Sequence, residues 1–233
     1  MGAFINGQRI EKPFIKGKRA NAFINGEKVW KEYALKSSGT QWINTGIAFR
    51  EENNKLRFEI DWRQHVLATP RALQGAGTGP VTGTRFLLGT PGTISASSRW
   101  IVGVGANANV NTGITNDTQR HVHTMSLQKN PNTFSYSVDR QIYTNNSLTT
   151  PTTNNFTLFN TLTGNNVGAY NGARTVYSAK IYIDDIIVRD FVPVPAGSKQ
   201  FSSTPAPSNC MWCKVTKQYF ENAGTGSFNI EEV

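Results

Sequence analysis

The segment Leu56-Arg57-Phe58-Glu59-Ile60-Asp61-Trp62 alternates apolar and polar side chains at every step. A period of two belongs to a strand with one buried face and one wet face. Similar strand-like runs occupy residues 84–89, 99–104, 120–128, 133–143, 155–162 and 176–188. Clusters of Gly, Asn and Pro separate them, and no stretch carries a convincing helical period. Many short strands at this spacing predict an all-β fold, an antiparallel β-sandwich or jelly roll. Residues 75–80 and 107–116 are rich in small polar groups and read as loops. Residues 198–209, bearing Pro and Ser, read as a surface crossing. Asp184-Asp185 suits a hairpin turn between residues 181–183 and 186–188.

The N-terminus carries a short internal repeat. Phe4-Ile5-Asn6-Gly7 is echoed by Phe14-Ile15-Lys16-Gly17 and by Phe23-Ile24-Asn25-Gly26, each copy followed by a basic strand-like pair. Asn-Gly between β-prone residues signals a tight hairpin, because both central positions of a type I′ turn need positive φ. Hairpins this small cannot stand alone, so their edges are expected to pair with a neighbouring subunit or a larger particle. A frayed terminal arm is the alternative. The sequence thus divides into residues 1–34, a basic hairpin anchor, and residues 35–233, the sandwich. Phe4, Asn6, Gly7, Phe14, Phe23, Asn25 and Gly26 are the candidate anchor residues.

Charge supports that division. The net charge is +9. Residues 1–36 hold Arg9, Lys12, Lys16, Lys18, Arg19, Lys28, Lys31 and Lys36 against only Glu11, Glu27 and Glu32. Basic residues alternate with apolar ones here and form no solid block, which disfavours nucleic acid and suits an acidic protein surface. Charged residues make up only 17% and mean hydropathy is −0.39, so the polar surface comes mainly from Asn, Thr, Ser, Gln and Gly. No run approaches the roughly 18 apolar residues that cross a bilayer. No secretory leader opens the chain, so synthesis in the host cytoplasm without membrane insertion is expected.

Two regions carry a family resemblance. Ser38-Gly39-Thr40-Gln41-Trp42-Ile43-Asn44-Thr45-Gly46-Ile47 resembles the first strand of bacteriophage lectin-like domains. Val176–Val188, Arg189-Asp190-Phe191-Val192-Pro193-Val194 and Met211-Trp212-Cys213-Lys214-Val215 resemble the closing strands of concanavalin A-like (laminin-G-like) domains in phage virion proteins. The resemblance covers residues 38–63 and 170–229. It implies a tail or head fibre or decoration protein in the virion, attached to other virion proteins through residues 1–34. It further implies a homo-oligomer, with a trimer preferred, and weak multivalent binding of host-surface polysaccharide. A cement or adaptor protein that binds no sugar is the competing reading. In the resembled family an Asp commonly stands where Cys213 does, so any role of that carboxylate lapses.

Candidate chemistry is sparse. Glu59 and Asp61 match two carboxylates of laminarinase-type glucanases, but the acid/base position falls on Arg63 or Gln64, which cannot shuttle a proton. No catalytic residue is assigned, and the chain is expected not to be an enzyme. His121-Val122-His123 places two imidazoles on one side of a strand. These form either a solvent-facing or hydrogen-bonded pair, or part of a metal site on a three-fold axis. Cys210-Met211-Trp212-Cys213 has redox spacing without a redox setting, and two reduced thiols are expected. Asp184, Asp185 and Asp190 could hold calcium, but Asp184-Asp185 more plainly suits a hairpin turn. No metal or cofactor is therefore assigned. For a glycan, the candidate aromatic platforms are Trp42, Trp62, Trp100 and Tyr170, whereas Trp30 and Trp212 read as core.

Overall fold

The computed structural model describes residues 31–65, 74–77, 85–89, 99–105, 107–145, 154–163, 166–167 and 173–233, with six short strands between residues 3 and 28. Those six are β1 (Ala3–Ile5), β2 (Gln8–Ile10), β3 (Phe14–Ile15), β4 (Lys18–Arg19), β5 (Phe23–Ile24) and β6 (Glu27–Lys28). They pair as three antiparallel hairpins, with Ile5 opposite Gln8, Ile15 opposite Lys18 and Ile24 opposite Glu27. Each expected hairpin of the repeat is therefore formed. The turn residues Asn6, Gly7, Asn25 and Gly26 lie outside the described residues, as does Trp30.

The remaining strands build a sandwich. In order they are β7 (Tyr33–Ser37), β8 (Ile43–Asn44), β9 (Lys55–Gln64), β10 (Gln74–Gly77), β11 (Arg85–Gly89) and β12 (Arg99–Gly105). Next come β13 (Asn107–Thr115), β14 (His121–Gln128), β15 (Thr133–Val138), β16 (Gln141–Asn145), β17 (Thr157–Leu158) and β18 (Thr161–Thr163). The last are β19 (Asn166–Val167), β20 (Arg174–Ile183), β21 (Ile186–Val194), β22 (Cys210–Cys213), β23 (Gln218–Phe220) and β24 (Asn229–Glu232). One sheet runs β16-β15-β14-β9-β20-β21-β22-β23, with β7 and β24 attached beside β20. The other runs β13-β12-β11-β10-β17-β8, with β18 and β19 attached beside β10. Pairing is antiparallel apart from a short parallel contact of β10 with β18. Among the described residues there is no helix.

Alternation makes the core. Every second residue of β9 is buried, so Leu56, Phe58, Ile60 and Trp62 point inward while Lys55, Arg57, Glu59, Asp61 and Arg63 point outward. From the facing sheet, Trp100 meets Trp62 at 5.7 Å, and Phe86 meets Phe134 edge-on at 6.3 Å between ring centres. Burying aromatics of this size supplies the dominant stabilisation, about 1.5–3 kcal/mol for each large apolar side chain.

Several expectations change. Residues 107–116 are no loop. They form edge strand β13, where Thr112 and Ile114 face in while Asn111, Gly113 and Thr115 face out. Only one face of an edge strand needs apolar residues, so small polar ones conceal it. Gln74–Gly77, read partly as loop, is a strand between β11 and β17. The expected strand at 133–143 is a hairpin, turned at Asp139 with φ +52°. That at 155–162 is broken at Phe159, whose φ is +71°. β7 straddles the expected boundary between residues 34 and 35, since it pairs with both β20 and β24.

The Asp184-Asp185 turn forms as expected. Both residues have positive φ, 50° and 65°, as a two-residue type I′ hairpin requires. The Asp184 carboxylate also accepts the amides of Asn54 at 2.9 Å and Lys55 at 2.7 Å. These amides hold its carboxyl below the usual carboxylate range. Asp184→Ala is expected to lose about 1–2 kcal/mol, from the missing acceptor and the strained φ. Urea unfolding would measure it, and Asp184→Asn should recover part of the loss.

Candidate functional site

The strand that shapes the surface is β20, because it does not keep one partner. Against β9 its register runs Val176 opposite Trp62 and then Ser178 opposite Asp61, leaving Tyr177 as an extra residue in a bulge. Val176 and Ala179 both face the core, while Tyr177 and Ser178 are both half-buried on the outer side. On its far side, β20 pairs with β7 over residues 174–176 and with β21 over residues 179–183. The sheet therefore divides at Tyr177.

A cleft of about 400 Å³ lies at this division. One wall is the approach to β7, with Lys31, Glu32 and Tyr33; another is β21, with Val192 and Pro193. The floor is Tyr177, Ser178 and Asp61. Arg120 lies over the Tyr177 ring at 3.8 Å and holds both oxygens of Asp61, at 2.8 and 2.6 Å. This bidentate fork fixes the carboxylate and raises the already strongly basic guanidinium further.

The last wall comes from residues 195–209. This crossing pinches shut where Gly197 donates to Ala206 and Ala206 donates to Ser198, at 2.8 and 2.9 Å. Gly197, at φ +75°, takes the conformation that glycine alone adopts easily. The loop covers a second small core of Val194, Ala206, Cys210 and Trp212. Phe201 stacks on Trp212, 6.2 Å apart and nearly parallel, and lines the cleft. Gln200 donates to the Lys31 carbonyl at 3.2 Å, joining the two walls.

Of the expected platform residues, Trp42, Trp62 and Trp100 do not line this cleft. Trp62 and Trp100 were candidate platforms, but they are 0% and 1% exposed, face each other in the main core, and offer no ring to a ligand. Trp42 is half-buried and lies against Gly224, where an added Cβ would come within 2.7 Å of its ring. Its role here is to hold the segment 222–226, since its backbone N–H donates to Asn222 and its carbonyl accepts from Ala223. Tyr170 lies outside the described residues. The backbones of Phe4, Phe14 and Phe23 sit in the N-terminal hairpins. Trp212 is core as expected, although of the small outer core.

The other motifs resolve into structure. Asp61 is held by Arg120, Glu59 lies 3.3 Å from Arg57, Arg63 meets Glu231, and buried Gln64 donates to the Asp117 carbonyl. The acid/base position of the glucanase pattern thus holds groups already engaged and unable to shuttle a proton. His121 and His123 share a side, 6.0 Å apart, and both are hydrogen-bonded. His123 is 1% exposed between Trp62 and Trp100 and contacts the Tyr136 hydroxyl at 2.8 Å, so it cannot reach a symmetry axis. Burial lowers its pKa to about 3. His121 bonds Asp139 at 2.7 Å and Asp117 at 2.9 Å. Burial works against its charged form, yet these two carboxylates raise its pKa.

Cys210 and Cys213 are both free and buried. They lie three residues apart in a strand, so they face opposite sides: Cys210 joins the small outer core and Cys213 the main one. A disulfide between them would require β22 to come apart, and burial pushes the Cys210 thiol up to about 12. Asp185 pairs with Lys55 and Asp190 with Lys214, so neither converges with Asp184 on a cation. Among the described residues, no group of three or more His, Cys, Asp or Glu could hold a metal ion.

The residues that build the cleft, Arg120, Tyr177, Ser178 and Phe201, were not read from the sequence as a site. One sign was present. The adjacent apolar residues Val176 and Tyr177 leave the inward phase of the strand open, and the structure resolves it with a bulge that turns Val176, Ala179 and Ile181 to the core.

No protein-family model matches the chain, and no curated protein matches it. Among solved structures, the carbohydrate recognition domain of Emp47p is similar, at 10% identity and a TM-score of 0.40, over 64% of this chain and 82% of that chain. A likeness of that degree carries no argument about what this chain binds.

Proposed function

We propose that this protein is a virion structural component, of the tail or head fibre or decoration type, whose sandwich binds host-surface glycan. The cleft at Tyr177 carries the binding part of this reading. It brings Tyr33, Tyr177 and Phe201 beside a fixed carboxylate, a hydroxyl and an amide. Sugars need that mixture: apolar surface for the ring and oriented polar groups for its hydroxyls. The open cleft implies weak binding per copy, multiplied by display of many copies. The virion part rests on the resemblance of residues 38–63 and 170–229, and on the three basic hairpins, whose edges suit docking to other virion proteins in a trimer.

The test is a glycan array probed with the full chain, beside Tyr177→Ala. The wild type is expected to retain a defined set of glycans. Tyr177→Ala should weaken them about tenfold, equivalent to about 1.4 kcal/mol, with an unchanged thermal midpoint. If no glycan is retained, yet particles lacking residues 1–34 of this chain fail to incorporate it, a cement or adaptor role replaces the lectin role.

A further inference from the structure

A second groove, also about 400 Å³, opens at the other end of β9. Register places its polar groups in one row across the outer face: Arg57 opposite Ser126, Ser126 opposite Ser135, and Ser135 opposite Thr144. Among the described residues, no other side chain engages those three hydroxyls. On the other side Arg57 sits opposite Tyr182 and lies over its ring at 3.8 Å. This repeats the Arg120–Tyr177 stack of the first cleft. The outward side of β9 joins the two, with Lys55 and Arg57 at one end and Asp61 at the other. Lys55 and Asp61 are six steps apart along the strand, which spans ~20 Å. That is too long for one sugar ring and suits a chain of several.

We propose that the two clefts are the ends of one track, and that the protein binds an extended, neutral polysaccharide along β9 in place of a single terminal sugar. This rests on the glycan-binding reading above and adds the form of the ligand. Neutrality follows from the charges along the track. Asp61 is paired with Arg120 at 2.6 Å, Asp185 with Lys55 at 2.7 Å, Glu59 with Arg57 at 3.3 Å and Asp190 with Lys214 at 3.7 Å. The Lys31–Glu232 pair at 3.1 Å cancels likewise, and the two groups outside these pairs, Glu32 in the first cleft and Lys180 opposite Glu59, are one of each sign, so no net field of either sign is left to select a charged polymer.

The test uses the full chain and fluorescently labelled gluco-, manno- and galacto-oligosaccharides, each as a ladder from the monosaccharide to the hexasaccharide, read by fluorescence polarisation. At least one ladder is expected to tighten about tenfold or more from its first rung to its last. Arg57→Ala should weaken the hexasaccharide and leave the monosaccharide unchanged, whereas Tyr177→Ala should weaken both. Thermal midpoints of both variants check that the fold is kept. A hexasaccharide no tighter than its monosaccharide, or indifferent to Arg57→Ala, overturns the track and leaves the Tyr177 cleft standing. No binding on any ladder, together with a blank glycan array, overturns both.

Discussion

Trp100→Ala is expected to lower the unfolding free energy by about 3–5 kcal/mol, the range for removing a buried aromatic and leaving a cavity. Trp100 is 1% exposed and touches Trp62 at 5.7 Å and His123 at 4.6 Å, so its loss empties the contact between the two sheets. Domains commonly hold only about 5–15 kcal/mol in total, so the variant should be marginal at physiological temperature. Urea unfolding followed by tryptophan fluorescence and near-ultraviolet circular dichroism would show it. The result separates two roles that a tryptophan in such a fold can play. A sugar platform, once removed, would cost affinity and leave the midpoint alone. A wild-type midpoint for Trp100→Ala would return it to the list of ligand contacts.

Acid should destabilise the protein through His123 well before the carboxylates titrate. The sign follows from its surroundings. Its ordinary value is 6.5 and its folded value is about 3, because burial disfavours the charged ring. Above 6.5 both states hold it neutral and stability is full. As pH falls below 6.5 the unfolded chain takes a proton that the folded chain refuses, and stability drains away until about pH 3. At about 1.36 kcal/mol per unit, the whole loss is of the order of 4–5 kcal/mol. His121 acts in the opposite direction. Its value is raised against the cost of burial by Asp117 and Asp139, so its contribution is present at low pH and fades as pH rises through that folded value. The two carboxylates are partly exposed, which keeps this offset small. Urea midpoints between pH 7 and pH 4.5 should therefore fall steadily. His123→Gln should flatten that slope, and an unchanged slope would remove His123 as its source.

The sequence was most informative where one rule decided the outcome. In β9, strict alternation assigns inside and outside without ambiguity, and the structure agrees residue by residue. The hairpin strands flanking the Asn-Gly pairs, and the Asp184-Asp185 turn, were legible because such pairs are strong local turn signals. The strand β13 was not, since an edge strand with one covered face can be built from Asn, Thr and Gly. The cleft was missed for a different reason. Tyr177 alternates correctly with Ala179, Ile181 and Ile183, and simple parity would send it inward. Val176 is also apolar, and it is Val176 that packs against the main core. Two adjacent apolar residues leave parity undecided, and only the facing strand, through Trp62 opposite Val176, settles it. Tryptophans do not mark a ligand surface by themselves, because size and aromaticity serve a core and a binding face equally well, and Trp62 and Trp100 serve the core.

The extra residue in β20 also sets a rule for how this chain can vary. Loops tolerate added or deleted residues because nothing downstream counts them. Here something does: removing Tyr177 would flip the phase of the strand before it and move Arg174 and Val176 to the side that Thr175 now takes, against the register with β9. Lineages of this protein should therefore differ freely in loop length while keeping the spacing from Arg174 to Ile183 unchanged.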